Sequence, residues 1–281
     1  MTKNRRFIVK QVALILGMAL VCILWMVPLL FIVFTSFRTN DSIKYDGFML
    51  FPKEWTLENY ITIFSNVSGS PVFRWLLNSL IVSTASALLT VLIASLSAFA
   101  FARMRFKGKK LIFSFMLLTM MIPSVISLIP NYLTISNLNL KNHLLALILP
   151  GLGGVANVFL IRQFLYSIPK ELDEAAFVDG LGYGKLFFYI ILPQMVPILI
   201  VVGLNTFLGA WNDLLWPLVI NTDNGMRTMT SGLSVITSQY DRQFATIMAA
   251  TTISAVPVLI VYILAQKYLI RGISLTSGMK E

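Results

Sequence analysis

The sequence predicts an all-α membrane protein, with six transmembrane helices and a short cytoplasmic helix between the fourth and the fifth. Of its 281 residues, 57% are hydrophobic and only 12% are charged. The charged fraction is about half the ~25% of a soluble globular protein, which leaves too little polar surface to cover a soluble particle. The apolar residues also form runs of ~20 or more, the length that a helix needs to cross ~30 Å of hydrocarbon.

Six apolar runs are long enough to be membrane spans, and they belong to one predicted transmembrane domain, residues 1–281. The runs are residues 12–37, 74–103, 111–135, 143–165, 186–218 and 245–268. Prolines interrupt two of them: Pro123 and Pro130 in the third, and Pro193, Pro197 and Pro217 in the fifth. Because proline removes a backbone donor, we expect kinks there. The fifth run is too long for one straight span, so we expect it to begin as a cytoplasmic amphipathic stretch and to bend.

The loops between the runs predict the orientation. If the N-terminus is inside, the inside segments contain about twice as many Lys and Arg residues as the outside segments. Since positive charge accumulates in cytoplasmic loops, both termini are predicted to be cytoplasmic. The first run follows a basic segment, residues 2–10, but is longer than the 7–15 residues of a cleavable signal. It is therefore predicted to be an uncleaved helix.

Composition and patterning exclude several classes of site and partner. The net charge of +10 lies in short loops with no continuous basic stripe, so no nucleic-acid partner is expected. Cys22 is the only cysteine, which excludes disulfides and Cys-based metal sites. His143, the only histidine, is predicted to be an interfacial residue, so we expect no metal site.

Two patterns within the runs concern packing. Small side chains repeat every four residues along the second run, and we expect them to pack within the chain rather than at a subunit interface; they are Ser86, Thr90, Ala94 and Ala98. Four tryptophans fall near predicted span ends, as interfacial aromatics do; they are Trp25, Trp75, Trp211 and Trp216.

The segment between the fourth and fifth runs predicts a helix of about three turns outside the membrane. Ser167 can cap its start and Pro169 suits a first turn. The glycines at positions 180, 182 and 184 can end it.

One face of this helix is small and apolar, and its first turn is acidic. The face contains Leu172, Ala175 and Ala176 at helical spacing, and the acids are Glu171, Asp173 and Glu174. On these residues alone, two interpretations remain open. The helix either inserts into a groove on another protein or is a solvated turn whose acids serve only the helix dipole.

The same segment resembles the EAA loop of ABC-importer permeases. Glu174, Ala175 and Ala176 are followed by Gly180, Ile190 and the pair Leu192-Pro193, and every fixed position of that pattern is met. The resemblance covers nearly the whole chain. It is closest to the carbohydrate-uptake permeases, on the side of the smaller permease of the maltose-type transporter. Residues 56–60, 78–80, 100–103, 121–123, 211–213 and 278–280 also carry it.

The resemblance implies a function and a set of partners. It implies a multi-pass permease of the bacterial plasma (inner) membrane that couples ATP hydrolysis to import of a sugar or oligosaccharide. Its implied partners are a second, homologous permease in a heterodimer, two ATPase subunits or domains, an extracytoplasmic solute-binding protein that meets residues 221–244, and membrane lipid. The implied ATPase-coupling residues are Glu171, Leu172, Glu174, Ala175, Ala176, Asp179 and Gly180.

The chain is not expected to bind ATP itself. A phosphate-binding loop has the pattern Gly-x4-Gly-Lys-Ser/Thr. Gly108-Lys109 has Arg103 at the first glycine position, and Gly184-Lys185 is followed by Leu186. We therefore expect no enzymatic activity and no cofactor in this chain, and expect a partner ATPase to bind ATP and Mg²⁺.

Polar residues in the spans suggest a path for a sugar. Sugars are bound by amide side chains and by aromatic faces, and the candidates are Asn131, Asn205, Trp211 and Asn212. Few ionisable residues lie deep in the spans, which counts against an ion-coupled secondary transporter. An ABC permease for an amino acid or a polyamine remains an alternative, and a membrane scaffold is the least favoured.

Overall fold

The computed structural model describes residues 3–65, 71–239 and 243–277, which are helical and contain no β-strand. Two compact units can be distinguished, one of residues 1–72 with 233–256 and the other of residues 73–232 with 257–281. The tail from residue 278 onward, which includes part of the family resemblance, lies outside the described residues. The prediction that residues 1–281 form a single permease domain stays a prediction.

The first unit contains three whole helices and parts of two later helices that continue into the second unit. Its helices are α1 (Lys3–Thr35), α2 (Asn40–Asp46) and α3 (Glu58–Phe64). Arg38, only 1% exposed, donates to the carbonyl oxygens of Ser42 and Gly47 and so fixes the segment after α1. Asn59 donates to the carbonyl oxygens of Ser36 and Arg38, which ties α3 to that segment.

The second unit contains most of the remaining helices. They are α4 (Val72–Arg103), α5 (Lys109–Thr119), α6 (Leu128–Asn137), α7 (Leu145–Ile148), α8 (Val155–Leu165), α9 (Glu171–Val178), α10 (Tyr183–Lys185), α11 (Leu192–Asn212) and α12 (Leu215–Ile220). A π-helical turn, Leu186–Ile191, joins α10 to α11. Two helices continue from one unit to the other, α13 (Met229–Gln239) and α14 (Phe244–Ser277).

Four of the described helices are long and apolar enough to cross a membrane, and up to six spans result if each of two bent pairs is one span. The four are Lys10–Thr35, Val72–Arg103, Tyr183–Asn212 and Phe244–Lys267. The bent pairs are Lys109–Thr119 with Ser124–Asn137, at 92°, and Leu145–Gly153 with Val155–Leu165, at 48°. The all-α membrane fold is therefore confirmed.

The breaks in the helices agree only partly with the predicted kinks. The third run bends beside Pro123, as expected. The fourth run bends at Gly153 and Gly154, which was not predicted. The fifth run was predicted to continue to residue 218, and this was wrong: α11 ends at Asn212, Asp213 is extended with ψ 123°, and α12 begins at Leu215.

The core of the second unit lies where α4, α8 and α11 pack together. Ala94 and Ala98 of α4 meet Ile161 of α8 and Met195 of α11 in one buried cluster. Thr90 and Ser86, one and two turns before Ala94 on the same stripe, are also buried. The small side chains thus allow close approach within the chain, as predicted.

The tryptophans do not share one environment. Trp25 is 76% exposed, as expected for a side chain facing lipid, but Trp75 and Trp211 are fully buried, so their assignment as interfacial aromatics was wrong. Trp75 packs against Gly232, which leaves room for the ring because it has no side chain. Hydropathy places a tryptophan near a span end but does not reveal whether it faces lipid or protein.

Candidate functional site

The predicted extramembrane helix is present as α9, but it is shorter than expected. It has eight residues, about two turns rather than three, and begins at Glu171. Ser167 does not cap it: its hydroxyl donates to the carbonyl oxygen of Phe164 and so belongs to the end of α8. The prediction of a Ser167 cap was therefore wrong.

The end of α9 is fixed by one glycine. Gly180 has φ +76°, a left-handed conformation that glycine adopts without steric cost. The amide of Gly180 donates to the carbonyl oxygen of Phe177, and the amide of Leu181 donates to that of Ala176. This pair of bonds is the Schellman arrangement at a helix C-terminus. Gly182 and Gly184 do not end α9, since they lie at and inside the next helical segment.

One side of α9 is buried against its own unit and the other is open. Asp173 and Ala176 are buried, and Ala176 belongs to the core cluster of α4, α8 and α11. The predicted apolar face is thus divided, because Leu172 and Ala175 are exposed while Ala176 is not. The remaining predicted coupling residues are exposed; they are Glu171, Glu174, Asp179 and Gly180.

The open side of α9 also carries apolar side chains that the prediction did not include. Val178 is 87% exposed and Phe177 is 42% exposed. Outside the membrane spans, uncovered apolar side chains beside carboxylates are typical of a surface that another protein covers.

Arg103, at the end of α4, holds α9 from the buried side. Its side chain is 3% exposed, and Nε lies 3.3 Å from Oδ2 of Asp173. Nη2 donates to the carbonyl oxygens of Leu165 and Ile168, at 3.1 and 2.7 Å. One guanidinium group therefore joins α4, the end of α8 and α9. The sequence predicted Asp173 as one of the acids in the first turn of this helix, and its pairing with Arg103 was missed.

A row of aromatic rings gives α9 a second connection to α4. Phe177 of α9 contacts Tyr183 edge-on, with ring centroids 5.1 Å apart. Tyr183 in turn lies 6.4 Å from Phe99 of α4, and Phe99 lies 5.1 Å from Phe187. Such edge-to-face pairs are a favoured aromatic geometry, so they help to set the position of α9.

The charge of Asp173 is only partly compensated. Burial raises the pKa of its carboxyl group above the ordinary value, and the neighbouring Glu174 acts in the same direction. Arg103 and Lys170 oppose this rise without cancelling it. For the Asp173 carboxylate, the cost of burial therefore outweighs the Coulomb attraction to Arg103.

A polar cleft of about 330 Å³ lies elsewhere in the second unit. Its polar lining comes from α4, α8, α11 and the residue after α11; the residues are Ser86, Asn157, Asn205, Thr206 and Asp213. Gly151 and Gly209 also line it, and a side chain at either would enter open space. Within the described residues, no hydrogen bond occupies the side-chain amides of Asn157 and Asn205. They can therefore bind a solute.

Only one of the four predicted path residues lies in this cleft. Asn205 lines it, whereas Asn131 and Asn212 do not. Trp211 is 1% exposed and stacks on Phe207, so its ring face is not open to a sugar in this conformation. Asn157 was missed, because an amide within an apolar helical run gives no signal of which way it faces.

At the opposite end of α4, polar side chains hold the segment that follows α12. Trp75 Nε1 donates to the carbonyl oxygen of Asn224 at 2.5 Å. Asn78 donates to the carbonyl oxygens of Gly225 and Arg227, at 3.0 and 2.8 Å. These bonds hold the start of the segment predicted to meet the solute-binding protein, residues 221–244. Residues 240–242 of that segment lie outside the described ranges.

Comparison with known proteins identifies the family. The model of the family described as "Binding-protein-dependent transport system inner membrane component" matches residues 90–275, more than half of the chain. The chain belongs to this family. It is therefore a multi-pass bacterial inner-membrane permease, a non-enzymatic subunit of a binding-protein-dependent ABC importer that functions with an ATPase and a solute-binding protein.

Individual relatives extend the comparison over the whole chain. The permease is 33% identical to the arabinooligosaccharides transport system permease protein AraQ of Halalkalibacterium halodurans, with 95% of each chain covered. It is 32% identical to the sn-glycerol-3-phosphate transport system permease protein UgpE of Salmonella typhi, with 97% of this chain and 98% of the relative covered.

A solved structure shares the fold. A chain of a bacterial ABC transporter involved in the import of the acidic polysaccharide alginate superposes with a TM-score of 0.78 at 20% identity. The superposition covers 95% of the permease and 98% of that chain. The permease fold is thereby confirmed independently of the sequence motifs.

Proposed function

We propose that α9 is the coupling helix of this permease and that its open side docks into the cytoplasmic ATPase. The observation that carries this proposal is the division of α9, with Asp173 and Ala176 buried and Glu174, Ala175 and Val178 exposed. A helix anchored on one side can transmit force applied to the other. Glu174 would pair with a basic or amide group of the ATPase, Ala175 would allow close approach, and Gly180 would permit the turn.

Gly180→Arg tests this assignment by placing a long cation at the edge of the docking surface. A Cβ atom added at Gly180 meets no atom within 4 Å, but φ +76° is a backbone conformation that residues with side chains rarely adopt. We expect uptake to fail while ATP hydrolysis continues, which is the signature of uncoupling. Normal transport by Gly180→Arg would refute docking through this turn.

Two further variants separate the effect of backbone strain on uptake from the effect of changing the docking surface. Gly108→Arg is the matched control, because Gly108 has φ +78° and a side chain there contacts only Cδ1 of Ile112, at 3.8 Å. Gly180→Asn keeps the left-handed turn, since asparagine tolerates this conformation. We expect both variants to transport.

The partners and the source of energy belong to the same proposal. The permease pairs with a second, related permease in a heterodimer, and two ATPase subunits or domains bind ATP and Mg²⁺. Closure of the ATPases on ATP moves the two coupling helices together and switches the bundle from inward-open to outward-open. Co-purification from native membranes followed by mass spectrometry would identify these chains, and recovery of the permease without an ATPase would refute this arrangement.

We also propose that the polar cleft forms part of the path for a neutral sugar or oligosaccharide. Its volume of about 330 Å³ lies at the lower end of the ~300–1,000 Å³ of small-molecule sites. Amide and hydroxyl groups such as those of Asn157, Asn205 and Thr206 suit a polyhydroxylated solute. Import of arabinooligosaccharides by the AraQ relative's system supports this class of solute.

The UgpE relative belongs to a transport system for sn-glycerol-3-phosphate, which is anionic, and so suggests an anionic solute as a second candidate. The lining of the cleft favours a neutral solute, because it includes the carboxylate of Asp213 and no cation. Uptake of labelled arabinooligosaccharide and of labelled sn-glycerol-3-phosphate in parallel would decide between the two classes. Preference for the phosphate would contradict the assignment of a neutral solute.

Gly209→Phe tests the path directly by filling the cleft. Gly209 lies in α11 and lines the cleft, and a Cβ atom there meets nothing within 4 Å, so a larger side chain would extend into the cleft. We expect uptake to be lost while the permease remains folded. Gly17→Phe in α1 is the matched control, because that glycine is also helical, has open space and lies far along the chain from the cleft.

A further inference from the structure

The docking helix α9 cannot hold its own orientation. It has eight residues, whereas isolated helices shorter than ~12–15 residues are marginal in water. The surface that it presents therefore depends on contacts with the rest of the second unit. A docking surface that reorients freely would meet its partner only in the fraction of molecules with the correct geometry.

Arg103 is placed to supply that orientation. It is the last residue of α4, a helix of 32 residues that contributes to the buried core, and its own side chain is 3% exposed. Its planar guanidinium group makes three contacts through two nitrogens: Nε lies near Asp173, and Nη2 donates to the carbonyl oxygens of Leu165 and Ile168. Three contacts from one rigid plane restrict rotation as well as distance, which a single lysine ammonium would not do.

We propose that Arg103 is a positioning residue, which orients α9 so that its open side meets the ATPase. The proposal rests on the docking function proposed above and adds the residue that sets the geometry. Asp173 is the partner on α9, and the aromatic contact of Phe177 with Tyr183 supports the same position.

If Arg103 only stabilised the fold, its replacement would lower the free energy of unfolding without changing the orientation of α9. The ion pair removes both charges from water, and replacing both members of a buried pair by apolar groups is often neutral or favourable for stability, whereas removing one member leaves the other charge unpaired. Because the cost of burying Asp173 outweighs its attraction to Arg103, we expect the pair to affect where α9 points more than whether the permease folds. Orientation can be measured separately from stability, which makes the two roles distinguishable.

The orientation of α9 can be measured with two spin labels in the full-length permease. Cys22 is the only cysteine, so a Cys22→Ser background accepts labels at chosen sites. Val178→Cys labels α9 at a side chain that is 87% exposed, and Leu88→Cys labels α4 at one that is 67% exposed. Leu88 lies 15 residues before Arg103, about 22 Å along the helix at ~1.5 Å per residue.

The inter-spin distance distribution is expected to widen when Arg103 is removed. We expect Arg103→Met to broaden it about twofold, Arg103→Lys to broaden it less because the charge remains, and Arg105→Gln to leave it unchanged. Arg105 is the matched control, an exposed arginine two positions later that makes no hydrogen bond or ion pair within the described residues. Asp173→Asn, which retains both carbonyl bonds of Arg103, provides the test if Arg103→Met does not fold.

The affinity of the ATPase supplies the second readout. If the competent orientation falls to about a tenth of the molecules, the apparent Kd of the ATPase that co-purifies with the wild type rises about tenfold. Broadening together with weaker binding would support the proposal. An unchanged distribution in Arg103→Met, or broadening with unchanged affinity, would overturn it. Absence of any ATPase from the wild-type preparation would instead refute the proposed function, and no substitution is needed to see it.

Discussion

The two ends of α4 hold their neighbours by different chemistry. At one end, Trp75 and Asn78 bind backbone carbonyl groups of the segment after α12 with neutral donors. At the other end, the charged Arg103 joins two backbone carbonyl groups and the carboxylate of Asp173. Neutral donors fix a segment without a charge to desolvate, whereas the ion pair holds a short helix at the cost of desolvating two charges. We therefore call the Trp75 end of α4 the static end and the Arg103 end the functional end.

Gly232→Leu should produce the largest effect, because it disrupts packing at the static end. A Cβ atom there would lie 2.6 Å from Cζ3 of Trp75 and closer still to Cε3 and Cδ2. Since the indole ring is fully buried and rigid, we expect a loss of about 3 kcal/mol in the free energy of unfolding. Thermal unfolding of the purified permease measures it.

The control and the rescue for this variant use the same assay. Gly17→Leu adds the same side chain where nothing lies within 4 Å, and should leave the unfolding temperature near that of the wild type. In a Trp75→Ala background, which is itself destabilised by loss of the buried ring, Gly232→Leu should add little further loss, because the clash is removed. Equal unfolding temperatures for Gly232→Leu and Gly17→Leu would contradict the close packing described.

Asn78→Leu should have an intermediate effect at the same end. It leaves the carbonyl groups of Gly225 and Arg227 without their donor, at a cost of about 2 kcal/mol. We expect a lower unfolding temperature and faster proteolysis after residue 224. Ser95→Ala is the control on the same helix, because its hydroxyl bonds only to Leu92 one turn earlier. Loss of ATPase binding in Asn78→Leu would contradict the assignment of ATPase docking to the Arg103 end of α4 alone.

Asp173→Asn should have the smallest effect on stability, although it lies at the functional end. We expect the free energy of unfolding at neutral pH to change by less than about 1 kcal/mol, because burial of the carboxylate offsets its attraction to Arg103. A loss of several kcal/mol would show that the ion pair stabilises the fold rather than orients α9.

The pH dependence gives an independent check on Asp173. Its folded-state pKa is raised by burial and by Glu174, against the influence of Arg103 and Lys170. The stabilisation from binding this proton is complete below the unfolded pKa of ~3.9 and is lost as the pH rises through the raised folded pKa. On acidification through that window, the wild type should therefore gain stability relative to Asp173→Asn. A constant difference between the two proteins would contradict the raised pKa.

The sequence predicted the elements with strong local signals and missed those set by tertiary contacts. Apolar runs located the spans, and Gly180 marked the end of α9 because its left-handed turn has a local cause. The start of α9 was placed too early because Ser167 serves the end of α8 instead. Neither the burial of Trp211 nor the pairing of Arg103 with Asp173 has a local signature, since both depend on which helices pack together.

Cross-linking from Val178→Cys in a Cys22→Ser background, in native membranes, tests most directly whether α9 docks the ATPase. Val178 is 87% exposed on the open side of α9, and Phe48→Cys, at 77% exposure near α2, is the control. We predict that Val178→Cys forms an adduct with a protein that contains a phosphate-binding loop, and that Phe48→Cys does not. If Val178→Cys forms no adduct with an ATPase in membranes that support transport, α9 is not the coupling helix.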